Sequence, residues 1–102
     1  MGNLTYVDAR KIASEFINSS FQAIDDELVI IDEGTIEKDY GWYFVSNSRK
    51  YMNSGDFRDQ ILGNGPVLVT KEAGGVVQFG TAFTIEEYIS MYESGTFVEG
   101  KH

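Results

Sequence analysis

The sequence lacks cysteine and has one proline, one tryptophan and one histidine among 102 residues. Without cysteine, the chain can form no disulfide, no thiolate metal site and no cysteine nucleophile. The histidine is His102, the last residue. A terminal side chain with no second histidine argues against a zinc site and against a histidine base.

Long apolar runs and basic residues are also scarce. The longest apolar runs have four residues, as in Leu28 to Ile31, whereas a bilayer span needs about 20. The start has no basic segment followed by an apolar one, so we expect no secretory signal and a cytoplasmic location. Sixteen acidic residues face eight basic ones, for a net charge of −8. This charge disfavours binding to nucleic acid or membrane and favours a basic partner, although it also serves solubility alone.

What the chain does have is ordinary globular content, with 42% apolar residues, seven Phe and six Tyr. Such a composition predicts a folded protein, and this length is typical of one domain. We expect a single α+β domain over residues 1–102, with residues 1–3 and 96–102 as loose tails.

Two segments have the spacing of a helix capping box, Thr5 to Asp8 and Thr84 to Glu87. The first predicts a helix from about Tyr6 to Asn18. Its apolar residues recur at helical spacing and predict a core face: Ala9, Ile12, Ala13, Phe16 and Ile17. The second predicts a helix that ends near Gly95.

Four runs between these helices predict strands: Leu28 to Ile31, Tyr40 to Val45, Val67 to Lys71 and Val76 to Ala82. The first two would form a hairpin with a turn at 34–39, and the last two a hairpin with a glycine-containing turn at 72–75. We expect a mostly antiparallel sheet of about four strands, with the N- and C-terminal helices packed on one face. Segment 48–52 fits either a helical turn or a short strand, and Asp56 could begin a short helix.

The carboxylates form two groups in sequence, Asp25–Glu27 and a second group around the first predicted hairpin: Asp32, Glu33, Glu37 and Asp39. Three interpretations remain open, namely a solvated surface, an electrostatic docking patch, or a catalytic or metal site. The spacing does not match a calcium loop. We predict no catalytic residue, no metal and no cofactor.

The aromatic residues also have two interpretations. Trp42, in a strand that is apolar on both faces, fits the core; if the helices cover only half of that face, it would be an anchor for a partner. The same alternatives apply to Tyr40 and Tyr88.

One stretch carries a resemblance to a known family. The chain contains an aromatic Gly-Trp strand, a Tyr followed by Ser-Gly-Asp, a Gly-Asn-Gly-Pro turn, a hairpin, and a Gly-Thr before the last helix. The first of these begins at Tyr40 and the last helix reaches Glu93. In this order the pieces resemble the bacterial immunity protein 35 family.

The resemblance implies a small cytoplasmic α+β protein, not an enzyme, that neutralises a cognate toxin of a polymorphic toxin system by masking its active site or substrate cleft. The toxin partner would be basic, with no nucleic acid and no membrane involved, and a sheet edge could also form a homodimer. We predict partner-binding roles for Glu33, Glu37, Asp39, Tyr40, Trp42, Glu86, Glu87 and Tyr88. The alternatives are a chaperone-like, stress-associated binding module and a small-molecule-binding or enzymatic domain.

Overall fold

The computed structural model describes residues 4–19, 26–56, 65–72 and 74–97. These form an α+β fold, which confirms the predicted class. The elements are α1 (Tyr6–Asn18), β1 (Leu28–Ile30), a 3₁₀ turn (Asp32–Gly34), β2 (Ile36–Lys38), β3 (Gly41–Phe44), β4 (Ser46–Ser48), α2 (Arg49–Ser54), β5 (Val67–Thr70), β6 (Val76–Gln78) and α3 (Ile85–Ser94).

Both long helices begin with the predicted capping box. In α3, the Thr84 hydroxyl accepts from the Glu87 N–H at 3.2 Å, and the Glu87 carboxylate accepts from the Thr84 N–H at 2.9 Å. In α1, Thr5 and Asp8 make the same exchange at 3.2 and 3.4 Å. The predicted end of α3 is also confirmed, because Gly95 follows it with φ +77°. These local signals need no tertiary contact, so they could be read from the sequence.

Four strands form the main sheet in the order β2-β3-β5-β6, and every pairing in it is antiparallel. Gly41 at the start of β3 lies opposite Thr70 of β5. A Cβ at Gly41 would lie only 2.3 Å from the Val69 carbonyl oxygen. Glycine is therefore needed for the two central strands to approach, which explains its place before Trp42.

The first predicted hairpin is wrong in its pairing. β1 pairs with β4 in a separate two-stranded sheet, and the segment predicted as a turn contains β2, which pairs with β3. The actual β2–β3 turn is the two residues Asp39 and Tyr40. The 3₁₀ turn causes the difference, because it inserts residues between β1 and β2 that have no strand partner.

Three further predicted segments have different outcomes. Segment 48–52 has both predicted characters, since Ser48 ends β4 and caps α2. β6 ends at Gln78, short of the predicted Ala82. The helix predicted after Asp56 lies outside the described residues.

The helices lie on opposite faces of the main sheet, so the prediction of one shared face is wrong. α1 packs on the first core: Ala9, Ala13, Ile17, Leu28, Ile30, Trp42, Phe44, Val67 and Val69. α3 packs on the second core: Tyr43, Leu68, Phe79, Tyr88 and Ile89. Alternate residues of β3 and β5 enter opposite cores, because successive side chains of a strand point to opposite faces. A sheet that is apolar on both faces needs a cover on each.

The structure also differs from the predicted core face of α1 and from the predicted start of the C-terminal tail. On α1, Ala9, Ala13 and Ile17 are buried as predicted, but Phe16 is 38% exposed. The tail predicted from residue 96 does not begin there, because the Phe97 ring packs on Phe79 with centroids 4.6 Å apart. Within the described residues, no helix combines the length and apolarity that a membrane span requires.

Candidate partner-binding site

A shallow depression of about 280 Å³ lies where the β2–β3 and β5–β6 turns meet, at one end of the sheet. We call it the turn depression; its lining residues are Asp39, Tyr40, Thr70, Lys71 and Glu72. The Lys71 N–H donates to the Tyr40 carbonyl at 2.8 Å, which ties the two turns together. The Thr70 hydroxyl donates to the Glu72 carbonyl and accepts from the Gly75 N–H, both at 3.0 Å. These bonds hold the walls of the depression in place.

Tyr40 is fixed from the side of the second core. Its hydroxyl donates to the Glu93 carboxylate at 2.8 Å and lies 2.7 Å from the Tyr43 hydroxyl. Lys38 pairs with the same carboxylate at 3.4 Å. Burial, followed by the hydrogen bonds to Tyr43 and Glu93, raises the pKa of Tyr40 far above its usual 10.0. Burial likewise raises the pKa of Tyr43, so both rings stay neutral.

The positive charge of Lys71 is already engaged. Its Nζ lies 3.1 Å from a Glu37 carboxylate oxygen and 5.0 Å from the centre of the Trp42 ring. Asp39 and Glu72 are exposed and make no ion pair with another described residue. The turn depression therefore presents to solvent two carboxylates that form no ion pair within the described part of the chain.

Like Glu37, three other carboxylates of the predicted acidic groups have partners in the fold: Asp26, Asp32 and Glu27, which pairs with Arg49 at 3.5 Å. Asp26 accepts from the Ser48 hydroxyl and from the Lys50 N–H, and the first of these bonds lowers the pKa of Asp26. Asp32 accepts from Arg10 at 2.8 Å and from the Tyr6 hydroxyl at 2.7 Å, and the Arg10 bond lowers the pKa of Asp32. Asp25 lies outside the described residues.

The predicted binding residues do not form one surface. Asp39 and Tyr40 line the turn depression. Glu37 lies in β2 and pairs with Lys71, while Glu33 lies in the 3₁₀ turn before β2. Glu86 and Glu87 lie in the first turn of α3, about 10 Å along the helix axis from Glu93. Glu87 also serves the capping box. Trp42 and Tyr88 are 5% and 0% exposed and pack inside the two cores.

Sequence reasoning missed Thr70, Lys71, Glu72 and Glu93 as neighbours of Tyr40. The first three lie in or beside the turn of the second predicted hairpin. Had the sequence shown that β3 pairs with β5, that turn would have been placed beside Tyr40. No sequence signal links Glu93 to Tyr40, because their contact crosses the second core.

The chemistry available at the turn depression is that of charged and aromatic side chains. Within ranges 4–19, 26–56, 65–72 and 74–97, no group of three or more His, Cys, Asp or Glu residues could hold a metal ion.

Comparison with known proteins decides the family. The family model described as Immunity protein 35 matches residues 7–97. This chain belongs to the immunity protein 35 family. The match includes α3, the main sheet and the turn depression, so the resemblance read from the sequence is confirmed.

A curated relative lies close in sequence to this immunity protein 35 family member. The chain is 32% identical to the uncharacterized protein YrhB of Escherichia coli strain K12 over 90 residues. This aligned region covers 88% of this chain and 89% of YrhB. No solved structure matches at a significant level.

Proposed function

We propose that this chain neutralises a cognate bacterial toxin by binding it and masking its active site or substrate cleft, in the cytoplasm and without catalysis of its own. The observation that carries the proposal is the turn depression, where two exposed carboxylates without an ion pair among the described residues flank a fixed tyrosine in a protein of the immunity protein 35 family.

Electrostatics favours a basic partner for this surface. Asp39 and Glu72 add to a net charge of −8, and a field of one sign speeds association with a surface of the other sign. A cleft that binds nucleic acid is basic because it must hold phosphate groups, and an acidic inhibitor would cover such a cleft.

Tyr40 suits the centre of such an interface. Tyrosines are enriched among the residues that dominate binding energy, since they offer a large contact area at low entropic cost. The bonds from Tyr40 to Tyr43 and Glu93 hold this ring before the partner arrives. Less free energy is then lost in ordering it on binding.

The first experiment identifies the partner by a pull-down from the native host at low and high salt, with this protein as bait. We expect one dominant basic partner, captured less well at high salt. Co-expression in a sensitive strain should then restore growth that the partner alone prevents. Capture of many unrelated proteins with no growth protection would contradict the proposal and favour the chaperone-like alternative.

Matched charge variants locate the contact. The D39K/E72K variant should slow association with the toxin by about tenfold or more, because both carboxylates face the partner. The E15K/E27K variant carries the same net charge but alters exposed residues near the other end of α1 and before β1. It also breaks the exposed pair of Glu27 with Arg49, which contributes little to stability. If both variants lose affinity equally, the contact is a general charge effect and the turn depression is not the binding site.

A further inference from the structure

We infer that the side chain of Asn18 takes the place of a neighbouring strand along the outer edge of β1, and so keeps this protein from pairing there with a second copy of itself. This inference concerns self-association and is independent of the proposed binding to a toxin.

The backbone of β1 has hydrogen-bonding groups on the side away from β4. The Glu27 carbonyl accepts from the N–H that follows β4, and the Ile31 N–H donates to the carbonyl that precedes β4, both at 2.8 Å. In an antiparallel ladder, residues whose backbone groups face the partner strand alternate with residues whose groups face away. Since Glu27 and Ile31 face the partner strand, Leu28 and Ile30 direct their N–H and carbonyl groups outward.

Asn18, the last residue of α1, bonds both outward groups of Leu28. The Leu28 N–H donates to Asn18 Oδ1 at 2.8 Å, and Asn18 Nδ2 donates to the Leu28 carbonyl at 2.9 Å. Asn18 Nδ2 also donates to the Ser14 carbonyl within α1 at 3.0 Å, which orients the amide. A carboxamide carries the donor and the acceptor of a peptide group. The Asn18 side chain therefore makes the two bonds that a residue of an added strand would make.

The rest of this edge is short. After β1 the chain enters the 3₁₀ turn, in which Asp32 is bonded to Arg10 and Tyr6 of α1. Between the Asn18 amide and this turn, a single residue, Ile30, still directs its backbone outward. Short and interrupted edges resist the addition of a strand from another molecule. With Asn18 in place, a second copy finds too few backbone groups to pair with.

Loss of the Asn18 amide would leave two outward residues for pairing. Two copies of β1 could then lie antiparallel about a twofold axis at Val29, with Leu28 of each copy opposite Ile30 of the other. Each of these residue pairs would exchange both of its backbone hydrogen bonds. In the wild type, a homodimer through a sheet edge would have to use another edge.

Sedimentation equilibrium over about a hundredfold range of protein concentration tests the inference. N18A removes the amide and should raise the self-association constant at least about tenfold above that of the wild type. N18S should act in the same direction, because its side chain is too short to bond both groups of Leu28. It replaces N18A in the test if N18A does not fold.

Two further variants separate edge pairing from a loss of stability. T84A removes the cap of α3 and should leave self-association at the wild-type level. The Val29 side chain is half-buried and lies on the strand face away from the first core. N18A/V29K would place two lysines opposite each other at the twofold axis, so their repulsion should return self-association to the wild-type level.

Amide hydrogen exchange gives a second measurement, at a concentration where N18A is monomeric. The Leu28 amide should exchange at least about tenfold faster in N18A than in the wild type, because it loses its acceptor. The Val29 amide faces β4 and should keep its rate.

Three sedimentation results would overturn the inference. They are N18A and N18S that associate no more than the wild type, T84A that associates as strongly as N18A, or N18A/V29K that still associates as strongly as N18A. Equal exchange of the Leu28 amide in N18A and in the wild type would contradict it as well, because Asn18 would then not protect this edge.

Discussion

Among single residues, Asp32 shows best how a carboxylate serves the fold. It joins the 3₁₀ turn to α1 through bonds from Arg10 and Tyr6. Its side chain is 56% exposed, so solvent screens the pair. We therefore expect D32N to lower the free energy of unfolding by only about 0.5 kcal/mol at pH 7.

The pH dependence of that loss follows from the lowered pKa of Asp32. The folded protein holds this carboxylate below its usual pKa of 3.8, so the stabilisation is present above that value and disappears as pH falls through the lowered pKa. The stability gap between wild type and D32N should therefore close as the pH falls below 3.8 and through the lowered pKa. Urea unfolding at several pH values measures it, with E33Q as the control. A gap that stays constant with pH would contradict this account.

Among the elements, α3 is stabilised at its first turn by a capping box. Its capping box supplies hydrogen-bond acceptors to two backbone N–H groups, those of Thr84 and Glu87, that have no acceptor within the helix. T84A should cost about 1 kcal/mol in the free energy of unfolding, and T84S much less because serine keeps the accepting oxygen. Urea denaturation followed by far-UV circular dichroism gives both values. Equal losses in T84A and T84S would mean that the methyl group, and not the cap, stabilises α3.

The two predicted binding residues in this helix, Glu86 and Glu87, contribute differently to the fold. Glu86 is exposed, and Glu87 accepts the bond from the Thr84 N–H. E87A should therefore lower the free energy of unfolding more than E86A does, because alanine cannot accept that bond. Affinity for the proposed toxin, measured at a temperature where both variants remain folded, then tells whether either residue contacts it.

In the whole molecule, two cores share one sheet. Trp42 and Val69 enter the first core, while Tyr43 and Leu68, their neighbours along the same strands, enter the second. One core cannot open without disturbing strands that support the other, so both should unfold in one transition. This would make the chain a single folding unit.

Core variants test that expectation. L68A should lower the free energy of unfolding by about 3 kcal/mol, and V69A by somewhat less because it removes fewer buried atoms. Trp42 fluorescence reports the first core, and the tyrosine signal in near-UV circular dichroism is weighted toward the second. Both probes should shift to the same midpoint in either variant. V7A, at a position 73% exposed, should change little. Separate midpoints for the two probes would show that the cores unfold independently.

The sequence by itself determined the class of fold, both capped helices, the second hairpin and the family. Each of these depends on neighbours in the chain or on an ordered set of motifs, such as the Thr-x-x-Glu spacing that begins α3. The first hairpin could not be predicted, because the 3₁₀ turn there is pinned by Arg10 and Tyr6 from a distant helix.

Only the tertiary structure decided which acidic residues of the described ranges form ion pairs. Sequence placed Asp32, Glu37 and Asp39 in one acidic group, but folding gives Asp32 to Arg10 and Glu37 to Lys71, and leaves Asp39 beside Glu72. It also set the helices on opposite faces and joined Tyr40 to Glu93 across the second core. Pairing between distant residues depends on how the sheet and helices pack, and local patterns in the chain do not carry that information.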